Sequence, residues 1–276
     1  MKLEIDLKIA LAAILVVLLA AIAIFPGLFA PHNPEEVRPA HRLISPSLVY
    51  PLGTDHLGRC ILSRVVFGAR TSLMIGISVV LLSALIGIIL GCTAGYLGGF
   101  VDEIIMRIVD AFLAFPSMFL TLAIVGFLGA GLANMMISLI LVEWTGFARL
   151  VRGTIISLKG REFLEAATSL GASDFYIVYR HIMPNIIPPL AVMATLGVGY
   201  AILGAASLSF LGLGIQPPTP EWGSMMSDGR PFVRAAPWIM IFPGLSITIA
   251  VLAFNLLGES LRDRMDPRAE ERIKAL

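Results

Sequence analysis

Long apolar runs alternate with short charged segments along this chain. Charge-free stretches cover 9–34, 71–101, 111–142, 182–220 and 235–258. A helix needs roughly 20 apolar residues to cross the hydrocarbon of a bilayer, and it must pair its own backbone polar groups there. Each run is long enough. None alternates residue by residue as the strands of a membrane barrel do, so the pattern predicts helices. The run 111–142 is too long for one span, and Gly126, Gly129, Gly131 and Asn134 mark a turn inside it. Dividing it there gives six spans, at about 9–30, 72–96, 109–128, 132–150, 187–212 and 237–258.

The polar segments differ from one another. Residues 31–70 contain Pro31, Pro34, Pro39, Pro46 and Pro51, the mark of extended, turn-rich chain rather than one long helix. A short connection with Asp102, Glu103 and Arg107 follows the second span. The segment 161–184 reads REFLEAATSLGASDFYIVYRHIMP. Its apolar residues Phe163, Leu164, Ala166, Ala167 and Leu170 share one face of a helix, and Arg161, Glu162, Glu165 and Ser169 take the other. Gly171 is placed to end that helix in a left-handed residue. Ser173 or Asp174 caps a second short helix running toward His181, and Pro184, Pro188 and Pro189 mark re-entry into the membrane. Such a helix either rests on lipid headgroups or docks a protein. The small residues at 166, 167 and 171 fit a close protein groove.

Composition agrees with the pattern: 57% of residues are hydrophobic and 14% charged, against about 45–50% and 25% in soluble domains. Lipid must be the second solvent. A net charge of +1 gives no case for nucleic-acid binding, and Cys60 with Cys92 cannot form a disulfide framework. The first apolar run exceeds a signal peptide's core, so a retained span is expected.

Arg149, Arg152, Lys159, Arg161 and Arg180 lie two spans from Arg262, Arg264, Arg268, Arg272 and Lys274. Both clusters therefore face one side, the cytoplasm by the positive-inside rule, and so do Lys2, Lys8 and both termini. Arg38, Arg42, Arg59, Arg64 and Arg70, on the other side, run against that rule.

Asp110, Glu143 and Arg149 are placed near span ends, and no acid stands deep within a span, which disfavours an ion-gradient-driven transporter. Gly87, Gly91, Gly95 and Gly197, Gly199, Gly204 line helix faces suited to close packing. His32, His41, His56 and Cys60 are donor types that suit nickel or copper, but unrelated loop residues are the plainer reading, and no metal site is assigned.

The segment around Glu165-Ala166-Ala167, with Gly171 and the closing Ile182-Met183-Pro184, resembles the EAA loop of ATP-binding-cassette importer permeases. Leu52-Gly53-Thr54-Asp55, Gly68-Ala69-Arg70-Thr71-Ser72-Leu73, Arg107-Ile108-Val109-Asp110, the stretch SLSFLGLGIQPPTPEWG at 207–223 and AFNLLGESLRDRMDP at 253–267 resemble the C-subunit type of dipeptide and oligopeptide permeases. Cys60 and Ala205 stand where that family more often has acids.

The resemblance implies an all-α membrane protein of six transmembrane helices with the type I importer fold. It divides the chain into an N-terminal span with external segment, 1–70, and a permease domain, 71–276. It implies a non-catalytic subunit of the bacterial or archaeal inner membrane that binds no cofactor. The partners expected are a second permease, two cytoplasmic ATPases that use ATP and Mg, and an external solute-binding protein. Glu165, Ala166, Ala167, Leu170 and Gly171 are the expected ATPase-docking residues. Gln216, Pro217, Pro218 and Trp222 are expected at an outer gate or binding-protein contact. Dipeptides or oligopeptides are the expected cargo, with nickel or another chelate as the alternative. The chain has no G-x-x-x-x-G-K-[ST] phosphate loop, so ATP energy would have to arrive through a surface contact.

Overall fold

A computed structural model describes residues 2–265. Eleven α-helices lie within them: α1 Lys2–Ile24, α2 Pro26–Phe29, α3 Ile61–Leu97, α4 Gly99–Leu113, α5 Ser117–Leu128, α6 Leu132–Lys159, α7 Glu162–Ser169, α8 Asp174–Ile177, α9 Met183–Phe210, α10 Trp222–Gly229 and α11 Trp238–Met265. Among the described residues there is no strand, only an isolated bridge between Thr54 and Cys60. Arg268, Arg272 and Lys274 of the predicted basic tail lie outside the described residues.

Four helices are long and apolar enough to cross a membrane: α3, α6, the continuous 174–210 segment that ends in α9, and α11. The fifth position is held by α4 and α5, which meet at 90°. The sixth is α1, whose apolar part, Lys8–Ile24, is shorter. Each predicted span thus coincides with a helix or the bent pair, but four or five of the six meet the length for crossing a membrane and most differ in extent from the expected bounds. Helix α3 begins at Ile61 rather than 72, and α6 runs on to Lys159 rather than 150. The third span is broken at Pro116, whose ring cannot continue a helix. Twelve residues of α5 cover about 18 Å, too little to cross about 30 Å of hydrocarbon alone. The connection expected around Asp102, Glu103 and Arg107 is the amphipathic helix α4, with Glu103 and Arg107 exposed and Asp102 turned toward α6.

The closest seam joins α3 and α6, which run parallel. Gly87 faces Phe147, Gly91 faces Ala148 and Val151, and Gly95 faces Ile155. A Cβ at Gly87 would lie 2.3 Å from Phe147 Cβ, and one at Gly91 would lie 2.6 Å from the Ala148 carbonyl oxygen. No side chain fits there, so the glycines let two backbones touch. The second glycine set works more loosely: Gly197 and Gly204 on α9 meet Val80 and Leu139, and Gly199 meets α11. Arg152 closes the α3–α6 unit from α4's side with a two-bond fork onto Asp102, at 2.5 and 2.6 Å.

Gly87→Ala should therefore overpack the seam and cost about 1–3 kcal/mol. Gly153→Ala, on α6 where nothing lies within 4 Å, should be neutral or stabilising by up to about 1 kcal/mol. Thermal denaturation of both purified variants in detergent measures the contrast. Equal melting temperatures would remove the seam's special role.

Candidate functional site

Helix direction sorts the loops into two ends. The C-terminal ends of α3 and α6 meet the α7–α8 loop, where Tyr96 donates to Asp174 at 2.6 Å and Lys159 donates to the Tyr96 carbonyl at 2.6 Å. The start of α1 and the end of α11 lie at this same end. Residues 31–60 and the 211–237 loop close the opposite end.

The α7–α8 loop is built by local backbone chemistry. Gly171 has φ +78°. The Ala172 N–H donates to the Ala167 carbonyl and the Gly171 N–H to the Thr168 carbonyl, the paired bonds of a Schellman stop. Ser173, rather than Asp174, caps α8, accepting the Tyr176 N–H. The ring of Pro184 crowds the Arg180 carbonyl four residues back, and the backbone widens into a π-helical turn over Val178–Ile182 before α9. Asn185 donates to the His181 carbonyl there at 2.7 Å.

The apolar face expected of α7 does not turn inward as a unit. Leu164 alone is buried, against Val151, Ile155 and Ile182. Leu170 is 88% exposed, Phe175 80% and Tyr179 70%, and the last two rings are stacked in parallel. Glu165, Ala166 and Gly171 are also exposed, and Ala167 is half-buried. Four of the five predicted docking residues thus share one accessible knuckle. Phe175 and Tyr179 are not among the docking residues that the sequence motif marks, though aromatic side chains in a charged segment are a visible signal. An open cleft of about 610 Å³, lined by Glu165, Thr168 and Tyr96, separates α7 from the body.

At the opposite end, charge is buried. Arg59 and Arg64 are each 2% exposed. Arg59 pairs with Asp55 at 2.6 Å and reaches Asp228 at 3.5 Å. Arg64 donates to the carbonyls of Pro34 and Pro218, and Trp238 donates to the Thr54 carbonyl at 3.1 Å. Arg38 forks onto Glu36. Three of the five arginines that opposed the positive-inside rule are therefore held in pairs within this cap. Gln216, Pro217 and Pro218 are exposed on its rim. Trp222 is not: its indole packs over Gly68 and donates to the Val65 carbonyl at 2.9 Å. In this conformation it serves the cap's interior and touches nothing outside.

The candidate metal donors are not assembled. His32 and His41 flank Tyr50, His56 stacks on Phe232, and Cys60 is buried. Among the described residues no three His, Cys, Asp or Glu side chains form a metal site. Asp110 and Arg149 pair with each other across α4 and α6 at 2.9 Å. Glu143 departs from expectation. With α6 extended to Lys159, it lies near the middle of the helix rather than its end. It faces a cavity of about 750 Å³ between α5, α6, α9 and the end of α11.

Residues 87–271 match the family described as "binding-protein-dependent transport system inner membrane component". The chain belongs to that family. It is 48% identical over 247 residues to the dipeptide transport system permease protein DppC of Alkalihalophilus pseudofirmus, covering 90% of this chain and 81% of the relative. It is 45% identical over 258 residues to the glutathione transport system permease protein GsiD of Pectobacterium atrosepticum, covering 93% and 86%. The solved structure of inward-facing MetNI methionine ABC transporter shares its fold, with a TM-score of 0.53 at 18% identity over 71% of this chain and 95% of that one. This family member is therefore an all-helical inner-membrane permease subunit. Its relatives are permeases, which are not catalysts.

Glu221 holds the permease's cap together. It is buried, its carboxylate accepts the Gly223 and Ser224 N–H groups at 2.8 Å each, and Ser72 of α3 lies 3.5 Å away. Burial pushes its pKa above the ordinary 4.5, and the two backbone donors pull the other way. A folded-state value above the unfolded one makes the native state hold its proton more tightly. Stability from this group is full below 4.5 and is lost as pH rises through the folded value. Glu221→Gln should therefore gain melting temperature relative to wild type as pH is raised from 4.5. A difference that stays constant with pH would show that Glu221 titrates normally.

Proposed function

We propose that this chain and a second, similar permease together form the path by which dipeptides or oligopeptides enter the cell, and that two cytoplasmic ATPases drive it through the α7–α8 loop. The relatives named for dipeptide and glutathione transport support peptide cargo. The observation that carries the ATPase role is the knuckle itself. Leu170, Phe175 and Tyr179 stand in water-accessible positions on a loop fixed by a Schellman stop, a Ser173 cap and the Tyr96–Asp174 bond. Exposed aromatics on a rigid, charge-flanked support are what a protein partner buries.

In this reading the α7–α8 end is cytoplasmic, which places both termini there. Glu165 makes a polar contact in the ATPase cleft, and Ala166, Ala167 and Gly171 allow close approach. ATP and Mg are bound by the ATPases, and their closure draws the docked loops together. A pair of such subunits then switches between inward-open and outward-open packing. The 31–70 segment and the rim at Gln216, Pro217 and Pro218 face a solute-binding protein outside. Residues 71–276 act as the permease domain, with 1–70 supplying the first span and most of the cap, although α3 runs unbroken across that division.

Burying a leucine side chain contributes about 1.5–3 kcal/mol, so Leu170→Ala should weaken ATPase association by roughly 10- to 100-fold. Gly171→Val should do so through the backbone, since φ +78° strains a branched residue, while Gly171→Asn should be tolerated. Co-purification of the ATPases and ATP-dependent peptide uptake in liposomes measure both. Unimpaired assembly and transport in Leu170→Ala and Gly171→Val would end the docking assignment.

A further inference from the structure

The cavity facing Glu143 combines a single deep charge with adaptable walls. Met118, Thr121, Phe147, Met193, Leu196 and Tyr200 line it. Contacts between Gly204 and Leu139, and between Gly146 and Met193, bracket Glu143 along the α6–α9 seam. Among the described residues, no hydrogen bond or ion pair reaches its carboxylate. Arg262 of α11 also lines the cavity, beside Glu259 and Asp263, and among the described residues it forms no ion pair with Glu143.

An unpaired carboxylate in mid-membrane is costly unless a cation meets it. Among the described residues no cation pairs with Glu143, which faces the open cavity, and we infer that it receives the protonated amino group of the peptide cargo during passage. This rests on the peptide-importer reading above. The chemistry suits it. An α-amino group, with an ordinary pKa of about 7.7–8.0, is mostly charged at neutral pH, and every unblocked peptide carries one whatever its side chains. An anion in low-dielectric surroundings attracts it strongly. Flexible Met118 and Met193 and the ring of Tyr200 then accommodate variable side chains by repacking. Glu143 thus recognises the invariant part of the cargo, and the walls tolerate the rest.

The test uses the assembled importer, with its second permease, ATPases and binding protein, in liposomes. Radiolabelled dialanine is the cargo, and Glu143→Gln and Glu143→Asp are the variants. Uptake by E143Q should fall about tenfold, the effect of one charge-assisted hydrogen bond. E143D should stay near wild type, and ATP hydrolysis stimulated by loaded binding protein should be unchanged in both. A second readout follows the charge itself. An alanyl-photoleucine dipeptide, irradiated in the complex without binding protein, should label α6 and α9 in wild type. Labelling should drop about tenfold in E143Q, or when the amino group is acetylated. Wild-type uptake and labelling in E143Q would overturn the inference and leave the importer reading intact. Equal loss of uptake and ATP hydrolysis in E143Q and E143D would assign Glu143 to packing and overturn it as well. A wild-type complex that moves no peptide would remove the underlying reading and the inference with it.

Discussion

The α3–α6 seam is the constraint on which the other features depend. Glycines at 87, 91 and 95 bring two parallel helices to backbone contact, and residues on α6 fill the space a side chain would need. In lipid, apolar side chains gain nothing by leaving one hydrocarbon for another, so close packing must hold helices together. This seam then fixes both ends of the molecule. At one end, the last turns of α3 and α6 hold Tyr96 and Lys159 beneath the α7–α8 loop. At the other, the first turn of α3 carries Arg64 into the cap, and Ser72 farther along α3 lies beside Glu221.

The cap explains a conflict in the charge pattern. Topology rules count arginine as a free charge that resists transfer across the membrane. Arg59 and Arg64 are instead enclosed, with Asp55, Asp228 and two proline carbonyls as partners. Burying charges this way is a weak source of stability, but removing one partner strands the others at about 3–5 kcal/mol. Such a network specifies one arrangement of two distant chain segments. It accounts for a proline-rich segment that has almost no helix of its own yet takes a defined course.

Much of this was legible in the sequence, and the misses share a cause. Span number followed from apolar length, and the helix stop at Gly171 followed from residue type, because both are local. The extent of α6 was not local. Residues 150–159 include Arg152 and Lys159, which argue against a span, and their pairing with Asp102 and the Tyr96 carbonyl is a contact from elsewhere in the chain. That difference moved Glu143 from mid-helix to a helix end and hid the one acid among the described residues that line the cavity. The burial of Trp222 was equally unreadable, since an aromatic near a predicted membrane edge fits an interfacial belt as well as it fits a slot over Gly68. For α7, periodicity identified an apolar face correctly but could not say whether the face met the protein's own body or another's.

The same helix joins the two functional regions. Helix α6 carries Glu143 near its middle and is joined to α7 by Gly160 and Arg161 alone. Its stretch from Phe147 to Ile155 packs directly on the glycines of α3, which stiffens that half against bending. A displacement imposed on the α7–α8 knuckle is therefore carried to the cavity wall by rigid secondary structure, with Tyr96–Asp174 and Lys159 preventing the loop from absorbing it. The opposing wall, formed by α9, is joined to the loop differently. It passes through the π-helical turn at Val178–Ile182 and the prolines 184, 188 and 189, where ladder hydrogen bonds are missing. One wall is thus stiffly linked to the proposed docking surface and the other through a turn with fewer ladder bonds. With the ATPases docked as proposed, that asymmetry would turn motion at the knuckle into a change in the width of the cavity around Glu143.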